Sequence, residues 1–227
     1  MLKVYFSWDD GSVYDNKISE LFLKKGLKTT FFIPNHNSEN KFLDKEAIKD
    51  LAQSEMVIGG HTRNHVYLNK ISIEDVEEEI KSNKYYLEDI CNKPVDIFCY
   101  PGGKYNKQIV DKTKLYFKKA RTAETLFFKK DFDFNHHTTF HFYNRGLKSL
   151  VKNIFFNDTK YLPYILKHSN NEYFELIKNV ILDLKTQNLE LNIWGHGWEL
   201  ENFNLFPKLD QLLDVLIENN IKILPFE

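Results

Sequence analysis

The chain has 227 residues, 42% of them hydrophobic and 15% aromatic, enough length and apolar content for one large domain with a substantial core. With 31 basic and 32 acidic residues, the formal net charge of -1 gives no electrostatic footprint for nucleic acid or an anionic membrane surface. Two cysteines, Cys91 and Cys99, are too few for a disulfide framework, and no apolar run is long enough for a transmembrane segment.

The opening "MLKVYFSWDD" meets charge too early for a signal peptide, so a soluble, cytoplasmic protein is expected. Along the chain, short apolar runs alternate with longer amphipathic ones. "LKVYFSW", "KTTFFIP", "EMVIGG" and "VDIFCYP" read as strands, each followed by a helix, at Asp15 to Lys25, Asp44 to Gln53, Ile73 to Ile90 and Asn106 to Phe117. In the third helix Val76, Ile80 and Leu87 keep helical spacing, and "EDVEEEIKSNK" is expected to be a solvated polar face. Asn106 in "KYNKQIV" has the character of an N-cap. "FKKARTA" and "TTFHFYNR" read as further strands, the second inside a Phe-, Tyr-, His- and Asn-rich stretch, residues 131–171, where loops and short helices are expected. Helices at Tyr173 to Thr186 and Phe206 to Asn219 then precede the strands "LELNIWG" and "IKILPF". Strand–helix alternation predicts a mostly parallel α/β arrangement, open or closed into a barrel, and no repeat or linker divides the single domain expected over residues 1–227.

Active sites of such folds collect at the carboxyl ends of the strands. Four of these ends carry unusual residues: "SWDDG" with Asp9 and Asp10, "GGHTRNH" with His61 and His65, "CYPGGKYN", and "NIWGHGWE" with His196. The two histidines of "HTRNH" are spaced to converge on one ion, and taken alone they read just as well as surface or capping residues. Asp9 and Asp10 point to opposite faces of an extended strand unless Gly11 lets the chain turn and bring both to one rim. The simpler alternative is a turn aspartate followed by a helix N-cap. One aspartate with two histidines and an open position describes a mononuclear hydrolytic metal site, for which Zn2+ is well suited and Mn2+, Fe2+, Co2+ and Ni2+ stay open.

In this order the motifs resemble those of the polysaccharide deacetylase (NodB-homology) family of carbohydrate esterases, from Ser7 to about Glu199. "SWDDG" is similar to that family's T-F-D-D-G, "HTRNH" to H-[ST]-x-x-H, "CYPGGKYN" to a variant of R-x-P-x-G, and "NIWGHGWE" to its last motif. The resemblance implies a distorted (β/α) barrel with about seven parallel strands, acting on an N-acetylated sugar or glycan precursor. It also implies that Asp10, His61 and His65 bind a divalent metal, and that Asp9 is the general base. His196 would be the general acid protonating the leaving amine, and the backbone N–H near Gly102 would help hold the oxyanion. Tyr100 and Pro101 of the Pro–Gly loop would lie on the substrate side, and one of Trp194 and Trp198 would line the pocket, core packing being the alternative for both. A deformylase or ring amidohydrolase on the same barrel, and an inactive glycan-binding relative, are the competing functions.

Two departures stand out. Cys99 occupies the place of the third motif's arginine, which orients the base in that family, and the fourth motif is not recognisable. Arg121 in "KARTAE" or Arg145 in "YNRG" can substitute for that arginine, the alternative being an ordinary surface or structural cation. Cys99 reads as a buried thiol. His136, His137 and His141 suggest a second metal, but a polar loop and an alternating strand explain them too, and Glu199 either orients His196 or faces solvent.

Overall fold

The computed structural model describes residues 1–38, 41–128, 134–143, 146, 150, 153 and 158–227. The elements in chain order are β1 (Lys3–Asp9), α1 (Asp15–Lys24), β2 (Thr30–Ile33), α2 (Lys45–Gln53), β3 (Val57–Gly60), α3 (Ile73–Cys91), β4 (Ile97–Cys99), α4 (Lys107–Thr113) and β5 (Lys119–Arg121). They continue with β6 (Phe140–His141), α5 (Leu162–Lys167), α6 (Tyr173–Asp183), β7 (Glu190–His196), α7 (Gly197–Asn202), α8 (Phe206–Glu218) and β8 (Lys222–Pro225). Each of the eight apolar runs read as strands contributes one, and among the described residues every ladder pair is parallel.

Seven strands follow the order β5-β4-β3-β2-β1-β7-β6. β7 pairs along the whole of β1, so β2 and β8 share its other edge, β8 against Lys3–Phe6 and β2 against Ser7–Asp9. The stretch before β6 reaches across to β5: His136 bridges to Arg121, while β6 pairs with β7. The sheet therefore curls into the distorted barrel that the motifs implied, with helices outside. No helix among the described residues is long and apolar enough to cross a membrane.

Strand period two decides what lies on each side of the wall. Leu2 just before β1, and Val4, Phe6 and Trp8 within it, face outward into the main core, where the Phe6 and Trp8 rings meet Phe22 of α1 edge-on. Ser7 and Asp9 face the other way, into a small interior that holds Phe32, Ile97, Cys99 and Phe226. The helices dock by amphipathic stripes. Asp44 and Asn106 cap α2 and α4 by accepting hydrogen bonds from Ala47 N (2.8 Å) and Ile109 N (3.0 Å), which satisfies amides left open at a helix start.

In α8, Leu209, Leu212, Leu213 and Leu216 are buried while Ile217 is 42% exposed. Truncating a fully enclosed Leu leaves a cavity and costs about 2–5 kcal/mol, whereas a surface truncation stays within about 0.5 kcal/mol. Leu216→Ala should therefore lower the urea midpoint far more than Ile217→Ala, with the slope unchanged. Equal shifts for these neighbours would contradict the docking face.

Candidate metal-centred active site

The end of β1 sets the geometry. Asp9 is the last strand residue, and the chain then enters the left-handed region at Asp10 (φ 82°) and Gly11 (φ 63°). For a non-glycine residue that conformation is strained, and here it turns the two carboxylates toward different neighbours on the same rim. The residue before α1 is Tyr14, with no side-chain cap, so neither aspartate serves as a helix cap.

Asp9 is buried and ion-paired with Arg121, whose Nη2 donates to Asp9 Oδ1. The guanidinium is fully buried, lies over the rings of Phe32 (4.9 Å) and Trp194 (5.3 Å), and donates from Nη1 to Thr122 O (2.9 Å). Burial opposes its charge, and the Asp9 carboxylate more than restores it. Arg121 thus lies against Asp9 in the barrel interior and is not a surface cation. Arg145, the other candidate, lies outside the described residues. Cys99 is the register partner of Arg121 and points its Sγ at Asp9 Oδ2 (3.4 Å); burial holds the thiol well above its usual range, so it stays neutral.

Asp10 faces the two histidines of the loop after β3. His65 Nε2 is 2.9 Å and His61 Nε2 3.6 Å from Asp10 Oδ1, and Trp198 Nε1 donates to Oδ2 at 2.9 Å. Burial alone would raise the Asp10 carboxyl, but the two imidazoles and the nearby His196 hold it well below the usual carboxylate range. His61 Nδ1 is 2.7 Å from the carbonyl oxygen of Cys99, which can only accept, so that nitrogen carries a proton and Nε2 is the ring atom that faces Asp10. A carboxylate and two imidazole nitrogens gathered in a buried rim are the donor set of a cation. Asp10, His61 and His65 form one group whose ligand atoms lie within 4.8 Å of one another, so the residues present fit a divalent metal.

The histidine loop is held from α3. Thr62 (φ 66°) and His65 (φ 52°) take left-handed conformations, and Glu79 grips the loop between them by accepting from Asn64 N (2.8 Å) and Nδ2 (2.6 Å). One turn on, buried Asn83 accepts from His61 N (2.7 Å) and donates to Ile33 O (3.0 Å) and Asn35 Oδ1 (2.8 Å). The run expected to be a solvated face therefore includes the brace of the site. Glu79 and Asn83, four apart on one helix face, were legible only as spacing. A Cβ on Gly60 would come 2.7 Å from Asn83 Oδ1, which gives the glycine that ends β3 its packing reason.

On the other flank, His196 ends β7 with Nε2 3.8 Å from Asp10 Oδ2 and Nδ1 2.7 Å from Glu199 Oε2. Burial would lower this imidazole, yet the Glu199 hydrogen bond and the charges of Asp10, Glu199 and Asp9 raise it to about 9. Glu199 is buried and faces inward, not solvent, and the two histidines it meets hold it down at about 2 against the effect of burial. The second of those is His141 of β6, whose Nε2 is 2.8 Å from the same oxygen, a residue the sequence pattern assigned to an alternating strand.

The expected substrate contacts divide. Tyr100 is fully buried, donates its hydroxyl to Phe134 O (3.0 Å) and packs on Tyr105 and Phe98, so it is a core residue, and Pro101 is buried beside it. Trp194 is 4% exposed and stacked on His141 (4.0 Å), which makes it inner wall and not pocket lining. Trp198 is the tryptophan at the rim, half-buried, stacked on His196 (5.1 Å) and bonded to Asp10. Gly102 is exposed in the turn Pro101–Gly103, at φ 59° and under the Tyr67 ring, where a Cβ would meet Tyr67 at 2.7 Å. His136 and His137 bond to Asn192 (2.7 Å) and Thr122 (3.1 Å).

Comparison with known proteins adds family to geometry. A family model described as polysaccharide deacetylase matches residues 2–118. The peptidoglycan-N-acetylglucosamine deacetylase of Bacillus cereus is 28% identical over 114 residues, 49% of this chain and 51% of that protein. The chain spans between 38% and 51% of the lengths of the curated relatives it matches. Bc1960, a peptidoglycan N-acetylglucosamine deacetylase, has the same fold over 99% of this chain and 86% of its own, with a TM-score of 0.64 at 16% identity. BA3943 of Bacillus anthracis, a CE4 family pseudoenzyme, aligns over 99% of this chain and 63% of its own, with a TM-score of 0.61 at 14% identity. The family match runs from β1 through α4, taking in Asp9, Asp10, His61, His65 and Gly102, and ends before Arg121 and His196. This chain belongs to the polysaccharide deacetylase family.

Proposed function

We propose that this chain hydrolyses the acetamide of an N-acetylated amino sugar in a glycan or glycan precursor, using a divalent cation, Zn2+ foremost, held by Asp10, His61 and His65. One observation carries the reading. The three-residue N/O group is flanked by a carboxylate with its own buried cation and by an imidazole anchored on a buried carboxylate, all at the carboxyl ends of parallel strands. The family, and a relative named for peptidoglycan N-acetylglucosamine, support that sugar as the first substrate to try.

A cation bound there would polarise the acetyl carbonyl and lower the pKa of water from 15.7 to about 7. Asp9 accepts the proton of the attacking water, and its pairing with Arg121 holds the carboxylate in place. The Gly102 N–H, in the exposed turn after β4, donates to the oxygen that becomes negative in the tetrahedral intermediate, a contact whose loss costs about 3–4 kcal/mol in comparable enzymes. As the C–N bond breaks, His196 gives its Nε2 proton to the nitrogen, and Glu199 on Nδ1 stabilises the imidazolium up to that moment. Trp198 offers an aromatic face beside this path for the sugar ring.

Acetate release from N-acetylglucosamine oligomers, with and without chelator, tests the activity. Asp9→Asn should keep its metal and lose at least about 10²-fold in kcat, the contribution of one positioned base. His61→Ala should lose both metal and turnover, and undiminished metal content in that variant would remove His61 from the ligand set.

Removing Arg121 leaves the buried Asp9 carboxylate without its ion-pair partner, which costs about 3–5 kcal/mol and frees the base from its aimed position. Arg121→Met should therefore lose both stability and kcat. Because Cys99 is its register partner, the double variant Cys99→Arg/Arg121→Met returns a guanidinium to the family's usual place and should recover part of both. No recovery by thermal melting or acetate release would mean that Arg121 supports packing alone.

His196 acts as an acid only while protonated, so its contribution is present below its raised pKa and lost above it. Glu199→Gln removes the partner that raises it. The alkaline limb of kcat should move to lower pH, and a limb that stays in place would detach Glu199 from the proton donor.

A further inference from the structure

Of the eight histidines, His141 is the one the mechanism leaves unused although it sits within the same hydrogen-bonded cluster. It is 2% exposed, so it cannot touch a substrate, and whatever it does passes through another residue. Its Nε2 lies 2.8 Å from Glu199 Oε2, and His196 Nδ1 lies 2.7 Å from that same oxygen. The two rings meet at 81° with centroids 5.5 Å apart, so they approach one carboxylate oxygen from perpendicular directions. An ionised carboxylate only accepts, so each of the two facing nitrogens carries a proton.

His141 itself is fixed more firmly than either partner. Its ring stacks flat on Trp194 at 4.0 Å and 6°, its backbone is in register with Trp194 in the β6–β7 ladder, and its carbonyl accepts from Tyr173 Oη at 2.7 Å. Glu199, by contrast, reaches the cluster from α7, a helix of 6 residues with no side-chain cap. A carboxylate on a short helix end has a freely turning terminal torsion unless a second donor stops it.

We propose that His141 is a positioning residue for His196: by occupying one approach to Glu199 Oε2 from the rigid β6 strand, it fixes the oxygen that sets the tautomer and aim of the His196 ring. This deepens the deacetylase reading and rests on His196 being the proton donor. The same three side chains also lie close enough together to hold a metal, and the metal count in the experiment separates that use from the hydrogen-bonded one.

The test uses the full chain loaded with Zn2+ and two variants. His141→Leu removes the donor, and His141→Gln restores an N–H near the Nε2 position. Loss of such a supporting hydrogen bond lowers activity about 10–100-fold. His141→Leu should show that fall in kcat with KM unchanged, and His141→Gln should recover most of it. Imidazole 1H–15N spectra give a readout independent of turnover. The wild type should show protected N–H signals for His141 Nε2 and His196 Nδ1, with the second lost to exchange in His141→Leu and kept in His141→Gln. Metal content should be one ion per chain throughout. The proposal is overturned by an unprotonated His141 Nε2 in the wild type, by a second bound metal that disappears in His141→Leu, or by Leu and Gln variants that fall alike. If the wild type releases no acetate, the deacetylase reading fails, and the spectra still decide the hydrogen-bond assignment.

Discussion

Two adjacent carboxylates in a buried rim cannot both stay ionised unless each has its own compensating charge, and the rest of this site is arranged around that constraint. The left-handed turn at Asp10 separates them at the cost of backbone strain of about 1–3 kcal/mol. Asp9 continues the inward face of β1 and meets Arg121 in the barrel interior. Asp10 turns toward the loop after β3 and meets two imidazole nitrogens, one of whose rings is held by the Cys99 carbonyl. One carboxylate is thus neutralised by the protein's own guanidinium. The other belongs to a donor set that fits a cation.

Much of this was legible because the informative contacts are local. Val4, Phe6 and Trp8 alternate with Tyr5, Ser7 and Asp9, so strand period alone assigns Asp9 to the inner face and its neighbours to the helices. His61 and His65 share one loop, and "DDG" carries its turn residue with it. The parts that stayed hidden depend on pairings far apart in the chain. Arg121 is 112 residues from Asp9, and nothing in "KARTAE" distinguishes an inward arginine from a surface one until Cys99 and Arg121 are known to be in register. Tyr100 adjoins the inward Cys99 and turns to the opposite face, whereas Trp194 shares the inner face with His196 but lies one strand step deeper, stacked on His141. His141 and Glu199 are separated by 58 residues and meet only because β6 lies against β7.

Distance from the chemistry does not make the supporting residues passive. The strained Thr62 and His65 persist because Glu79 and Asn83 of α3 tie the loop at Asn64 and His61, and Asn83 also ties the end of β2. These bonds reach three separate segments from one helix face, so the placement of His61 and His65 is coupled to the docking of α3 through Val76, Ile80 and Leu87. The acidic face of α3 is therefore divided by function, with Glu79 turned to the loop and Glu77 paired with Lys112 and Tyr116 of the α4 region.

The position of the arginine explains the cysteine. β4 and β5 place residues 99 and 121 side by side on the inner wall, both directed at Asp9. Guanidinium groups at both positions would put two buried cations against one carboxylate, and the second would have no partner to offset its desolvation. A polar residue too long for the gap would crowd the rings of Phe32 and Trp194 that sandwich Arg121. A thiol is small, remains neutral because burial raises its pKa, and still offers a weak hydrogen bond to Asp9 Oδ2. Cys99 is thus a residue that the buried Arg121 charge permits, and Asp9 keeps a guanidinium partner although the third motif lacks an arginine.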